Sequence, residues 1–343
     1  MGFKLPLFTI EKTIKEVFGC KPNDIPASIF TSTVPLVLRG LVEDWPIVQQ
    51  GKHSTTCASD YLRQFYQGIP VTVAVGESST NGRIFYNEEF NGFNYQSYKV
   101  NLNQVLDNIE KHQNDTSPPT IYVASTLVDR WLPGFRLAND LSLSCEDPLV
   151  SIWIGNRSRI PAHYDLPDNL ACSVVGRRRF ILFPPEQLAN LYPGPLDWAP
   201  GGQSISLVDF HQPDLCKYPR FEQAMKAAQI TELGPGDALF IPSMWWHHVE
   251  SLDSLNVLVN YWWRQSPAYM STPINTLHHA LLTMRDLPKE QKQAWQGMFE
   301  HYIFNSDETT NSHIPEHAQE FLAPLNHTLA RKIRALLLSK LNR

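Results

Sequence analysis

The 343-residue sequence predicts a mainly β fold, a sandwich or barrel with N-terminal α/β additions and a C-terminal helical region. Three observations lead there. From Leu149 to Trp263 short apolar segments follow one another quickly, separated by Gly and Pro, which is the pattern of all-β sandwiches and barrels. Before Leu149, helical and alternating apolar periods are interleaved. After Pro267 the period is helical throughout.

In chain order, Thr9–Phe18 carries Ile10, Ile14, Val17 and Phe18 at helical spacing and predicts a short helix. Pro35–Leu41 reads as a strand, followed by a turn at Asp44-Trp45-Pro46. Thr55–Tyr66 predicts a helix and Val71–Val75 a strand. The Gly- and Asn-rich stretch Gly76–Tyr98, with aromatic Phe85, Tyr86, Phe90, Phe93 and Tyr95 among its residues, reads as a loop and a candidate wall of a substrate mouth. A helix over Leu102–Ile109 and a strand over Thr120–Thr126 follow. The succession from Leu149 on then comprises VSIWIG, IPAHYD, ACSVVG, RFILF, SISLV, ALFI, WHHVES and LNVLVNYWW. Two insertions interrupt it, Glu186–Gln203 and Asp209–Gln229. Three helices close the chain, around Ile274–Leu281, Ala294–Ile303 and Leu329–Leu341. The expected division is a catalytic domain over 1–267 and a helical region over 268–343, whose surplus apolar faces predict a homodimer.

Composition narrows the function. Hydrophobic residues make up 43% and charged residues 18%, enough for a buried core. A net charge of −5 gives no electrostatic footprint for nucleic acid. Cys20, Cys57, Cys145, Cys172 and Cys216 are odd in number and unrelated in spacing, so they read as reduced thiols of a cytoplasmic protein. The first residues do not read as a signal peptide, and no apolar run approaches the ~20 residues that span a bilayer.

The chemistry is concentrated in two stretches. In Ile160–Pro185, His163 and Asp165 are two apart, so on a strand they project to one face while Tyr164 turns away. An imidazole and a carboxylate so placed form two-thirds of the 2-His-1-carboxylate arrangement that leaves iron(II) open positions for oxygen chemistry. In Gly234–Val249 a GPGD turn, a buried ALFI strand and a Pro-led corner bring an aromatic pair to His247-His248. Neighbours on a strand face opposite ways, so one histidine at most completes the triad, and His247 is the one expected.

The order His163-Tyr164-Asp165, Gly176 with a basic run and Phe180–Pro185, then GPGDxxxIPxxWWHHV, resembles the JmjC-type, cupin-8-like oxygenases. That group includes the asparaginyl hydroxylase of hypoxia-inducible factor and its bacterial relatives. The likeness covers most of residues 30–265, with Asp44-Trp45-Pro46 upstream and Asn260-Tyr261-Trp262 downstream. It implies a double-stranded β-helix, or jelly-roll barrel, with Fe(II) and 2-oxoglutarate as cofactors. It also implies hydroxylation of a protein side chain or a small polar substrate, with release of succinate and CO₂. His163, Asp165 and His247 are then the metal ligands. Arg178, Tyr122, Asn169, Asn260 and Trp262 fall where relatives contact the cosubstrate or the metal's surroundings.

Two positions depart from the pattern. Arg178 stands where relatives place a lysine, and Ile160 where the hydroxylase has a threonine. A metal-dependent isomerase or a dioxygenase without 2-oxoglutarate is therefore the alternative enzyme class, and a non-catalytic metal-binding sensor the alternative outside enzymes. No chromatin-reading module is visible, so histone demethylation is not expected. By strand parity Arg178 faces inward with Phe180 and Leu182, and Arg177 and Arg179 face outward.

Overall fold

The computed structural model describes residues 3–4, 8–143 and 147–341. Its strands are β1 (Phe3–Lys4), β2 (Thr9–Ile10), β3 (Lys15–Phe18), β4 (Leu36–Arg39), β5 (Val71–Gly76), β6 (Tyr95–Val100), β7 (Thr120–Leu127) and β8 (Leu149–Gly155). They continue with β9 (Ser158–Tyr164), β10 (Asp168–Val175), β11 (Arg178–Phe183), β12 (Gln229–Leu233), β13 (Ala238–Ile241), β14 (Trp246–Ser251) and β15 (Asn256–Trp263). Two sheets dominate. One runs β3-β4-β13-β10-β15-β8-β7-β5-β6, the other β12-β11-β14-β9. Their pairings are antiparallel except β3 with β4. This is the β-rich jelly-roll architecture expected from the sequence.

Side-chain alternation assigns every strand of the smaller sheet two faces. Phe180 and Leu182 of β11 and Val249 of β14 join Val37, Ala171 and Leu239 of the larger sheet in a core between the sheets. Ile181, Phe183 and Trp246 point the other way, onto Phe210, Phe221 and Met225 of the second insertion. The larger sheet's outer face packs under the helices Pro46–His53, Thr55–Arg63 and Leu102–Lys111. The last of these begins with a capping box, Asn101 to Gln104.

Contacts divide the chain into residues 1–264 and 265–343. The second unit is helical, with Pro273–Thr283, Lys289–Phe299 and His327–Leu341 as its α-helices.

Residues 9–18 are not a helix. Ile10 and Ile14 are both buried, but in different clusters, and Lys15–Phe18 pairs in parallel with Leu36–Arg39. Helical spacing was present, yet pairing with a distant strand outweighed it. SISLV is not a strand either. Its serines hydrogen-bond the preceding loop, Ser204 Oγ to Gly194 O and Ser206 Oγ to Leu191 O. In addition, β6 begins inside the stretch read as loop, β12 follows the second insertion as a strand the sequence did not predict, and Pro46 opens a helix. Cys20, Cys57, Cys172 and Cys216 are free thiols, and Cys145 lies outside the described residues.

Candidate metal centre and its cavity

His163 on β9 and His247 on β14 are direct cross-strand partners. Their rings are tilted by 54° to each other, with centroids 4.3 Å apart. Asp165 follows β9 by one residue and is held there by its backbone carbonyl, which accepts from Met244 N at 2.9 Å. Met244 occupies the left-handed region, φ 68°, at the Pro-led corner between β13 and β14. The register slips between His247 and Val249, so that Pro161 and Ala162 oppose His248 alone. A bulge is where a strand tolerates proline, which cannot donate to the ladder.

That bulge also orients a ligand. His163 Nδ1 lies 2.9 Å from Pro161 O, and His247 Nδ1 lies 3.0 Å from Trp245 O. A carbonyl only accepts, so each Nδ1 carries the hydrogen and each Nε2 is left as a lone-pair donor. Burial, reinforced by nearby His163, pushes the His247 imidazole well below its ordinary value and keeps it neutral. One ligand atom from each of His163, Asp165 and His247 lies within 4.8 Å of the others, and His247 Nε2 is 3.7 Å from Asp165 Oδ2. Atoms sharing one ion at about 2.1 Å are separated by about 3–4 Å. The triad fits a divalent metal, and His248 is excluded because it faces the other way.

A relay of amides leads to this centre. Trp153 Nε1 donates to Asn260 Oδ1 at 2.9 Å, Asn260 Nδ2 to Asn169 Oδ1 at 3.4 Å, and Asn169 Nδ2 to Asp165 Oδ2 at 3.3 Å. Asn169 and Asn260 therefore lie behind Asp165, in a chain ordered by Trp153, which the sequence reading did not single out.

The triad opens into a cavity of about 480 Å³ between the sheets. Arg178, Tyr122, Asn169, Asn260 and Trp262 all line it, so every expected site residue comes to one place. Arg178 is 2% exposed. Its Nε has no hydrogen-bond partner, and among the described residues no carboxylate pairs with it. Burial lowers its guanidinium to about 10, still protonated at neutral pH. Trp262 Nε1 is likewise buried without a partner. Burial also pushes the Tyr122 phenol up, so its hydroxyl stays protonated. A buried cation and a buried N–H without acceptors are costly unless something else supplies them. An anionic ligand with acceptor oxygens would satisfy both.

The outward arginines behave differently. Arg177 is solvent-exposed and pairs with Asp253 at 2.8 Å. Arg179 pairs with Glu232 at 2.7 Å and Glu250 at 2.8 Å. Glu250 Oε1 also lies 2.6 Å from His211 Nε2 and 3.2 Å from His248 Nε2. This closed network was not foreseen, although His248 and Glu250 share strand parity in WHHVE.

Residues 22–269 match the family described as cupin-like domain. The chain belongs to that family, and the JmjC-type resemblance stands. It is 28% identical over 285 residues to lysine-specific demethylase JMJ31 of Arabidopsis thaliana, covering 73% of this chain and 50% of that one. Lysine-specific demethylase 8 of Xenopus tropicalis is 27% identical over 235 residues, 67% of this chain and 48% of that one. HSPB1-associated protein 1 of Homo sapiens is 39% identical over 114 residues, 33% of this chain and 23% of that one. The chain thus spans half or less of the length of these relatives.

Proposed function

We propose that this chain is an Fe(II)- and 2-oxoglutarate-dependent oxygenase that hydroxylates a protein side chain or a small polar substrate. The observation that carries this reading is one cavity holding both a buried two-histidine, one-aspartate triad and a buried arginine with no partner. Bound Fe(II) with 2-oxoglutarate supplies the oxidising chemistry, consuming O₂ and releasing succinate and CO₂. The rest is the work of the protein's own groups. His163, Asp165 and His247 would hold the ion, with both tautomers fixed by backbone carbonyls. Arg178 would receive the distal carboxylate of the keto acid through two parallel N–H···O bonds. The Trp262 N–H and the Tyr122 hydroxyl are further donors on the same wall. Asn169 and Asn260 hold Asp165 in orientation, and the apolar side chains between the sheets exclude water.

The partnerless Arg178 favours this reading over an isomerase, a dioxygenase without a keto acid or a metal sensor, none of which needs a buried cation beside the metal. Relatives named as lysine-specific demethylases support a protein substrate. The test is succinate formation from 2-oxoglutarate by the iron-loaded chain with ascorbate and O₂. Metal bound at one equivalent with no succinate under any condition would overturn it.

The proposal includes a homodimer built through the helices after residue 267. Leu282, Ile303, Phe304 and Leu338 there are each more than 60% exposed. Exposed large apolar side chains mark interfaces where they form a patch. Light scattering at micromolar concentration is expected to give twice the chain mass, and a monomer mass would remove the claim. A cytoplasmic location belongs to the same proposal. Among the described residues no helix is long and apolar enough to cross a membrane.

A further inference from the structure

The cavity reaches the edge of the larger sheet. β6 is the terminal strand there, and β5 is its one pairing partner among the described residues. Tyr95 and Ser97 of β6 turn to the same face as Ala74 of β5 and Tyr122 of β7, and all four line the cavity. Gln96, Ser97, Tyr98 and Lys99 are solvent-exposed. About half of the backbone N–H and C=O groups of such a strand point away from its neighbour and find no protein partner.

The opposite lip of the mouth is fixed. Phe93 stacks on Tyr95 at 5.2 Å and on Trp198 at 5.0 Å, and Tyr86 donates from its hydroxyl to Trp198 O at 2.8 Å. This ties the start of β6 to the segment that contributes Pro200, Gly201 and Gln203 to the cavity. The mouth is therefore a slot bordered on one side by a strand whose outer edge has no pairing strand among the described residues.

Charge inside the slot is confined to its depth. Of the lining residues, Asp165 and Arg178 are the charged ones, and both are deeply buried. The outer lobe is neutral: Thr72, Tyr95, Ser97, Ser125 and Gln203. An ammonium entering it would leave water and meet no carboxylate except the candidate metal ligand. A carboxylate would meet no cation except Arg178. Either cost is larger than that of an amide or hydroxyl, which these side chains can hydrogen-bond.

We propose that the free edge of β6 is the docking strand for an extended polypeptide, which pairs with it and delivers an uncharged polar side chain into the neutral lobe. This rests on the oxygenase reading, and it makes this chain unlike a lysine-directed enzyme even though relatives carry that name. Backbone pairing would supply the affinity and the lobe the choice of side chain.

The test uses the full chain loaded with iron and 2-oxoglutarate. The probe is a set of short peptide pools with randomised flanks and one fixed central residue: Asn, Gln, Ser, Thr, Asp, Lys or trimethyllysine. Pools with a neutral polar centre are expected to gain the mass of one oxygen at that residue, about tenfold or more above the charged centres. The same pools are expected to slow hydrogen–deuterium exchange at residues 95–100. Backbone N-methylation of the best peptide, one position at a time, is expected to abolish binding with a period of two, because alternate N–H groups of an added strand face β6.

Preference for Lys or trimethyllysine, no two-residue period, or unchanged exchange at 95–100 would each overturn the proposal. So would exchange protection at β6 that depends on protein concentration without peptide, since the edge would then be covered by a second copy. If succinate forms without peptide but no pool is modified, the docking inference fails and the oxygenase reading survives. If no succinate forms, the oxygenase reading fails, while exchange and N-methyl periodicity still decide the docking strand.

Discussion

The two faces of the smaller sheet are built from adjacent residues and do opposite things. On the inner face, Arg178 directs at the cavity a guanidinium whose Nε has no hydrogen-bond partner, and His247 directs its Nε2 there, 3.7 Å from Asp165 Oδ2. On the outer face, His248 and Arg179 are one residue away, and their polar groups end on Glu250. Burial is the same on both sides for the histidines, 3% and 4% exposed. What separates them is satisfaction. A buried polar group that the protein answers serves the fold, and one that the protein leaves unanswered waits for a ligand. His248 Nδ1 is an exception on the outer face, buried without a partner, beneath a ring stacked on Phe210 at 4.5 Å. Its tautomer is set from the other nitrogen, where Nε2–H donates to Glu250.

The sharpest way to break this comparison is to exchange losses between the two histidines. His247→Ala removes one of three candidate ligands, and both metal binding by calorimetry and turnover are expected to vanish. His248→Ala is expected to keep one equivalent of metal and much of the turnover, while unfolding more easily by about 1–3 kcal/mol for the altered buried network. The reverse pattern would mean that the wrong histidine has been placed at the centre.

The arginines give the next largest effect. Breaking one side of a buried charged contact costs about 3–5 kcal/mol. Arg178→Ala is therefore expected to raise the apparent KM for 2-oxoglutarate about a hundredfold or more, and Arg178→Lys to do so less, keeping charge but losing the fork. Arg177→Ala should change little, since its partner lies at the surface. Arg179→Ala should leave KM unchanged yet lower stability, because it strips a cation from buried Glu250. Equal KM effects at all three positions would dissolve the distinction between the faces.

Much of the inner face was legible because it is local. His163 and Asp165 are two apart on one strand, and Arg178 shares parity with Phe180, so period-two reasoning places each without knowledge of the partner strands. The turn before β13 was equally readable. Asp237 of GPGD accepts from Gly234 N and Gly40 N and pairs with Arg39 at 2.6 Å, closing the turn on β4. The outer face was not legible, because His211 comes from an insertion and Glu232 from β12, and only the folded chain brings the first to Glu250 and the second to Arg179. β6 escaped for a related reason. YQSYKV has no consistent apolar face, as expected of an edge strand whose one side is a polar slot and whose rim is water. Residues 9–18 misled in the opposite sense. Ile10 and Ile14 satisfy a helical period by coincidence while serving two separate cores.

The smallest expected effect concerns pH, and it isolates the outer face. Burial alone would raise the Glu250 carboxyl, but hydrogen bonds with His211 and His248 outweigh it and hold the group far below its ordinary value of 4.5. A carboxyl depressed on folding is deprotonated in the native state at pH values where the unfolded chain has begun to take up a proton. Its stabilisation is therefore complete above the ordinary value and drains away as pH falls below it. Denaturant unfolding followed from about pH 7 down to pH 3 should show this as a fall in stability below about pH 5. Glu250→Gln replaces charge-assisted bonds with neutral ones and should cost about 1–3 kcal/mol at pH 7. Its curve should converge on the parent's in acid, because the variant has no such proton to gain. Metal stoichiometry at neutral pH should not change, since Glu250 lies on the face turned away from the triad. Parallel curves at all pH values would show that Glu250 is not the depressed group. Lost metal binding in the same variant would show that the two faces are coupled through β14.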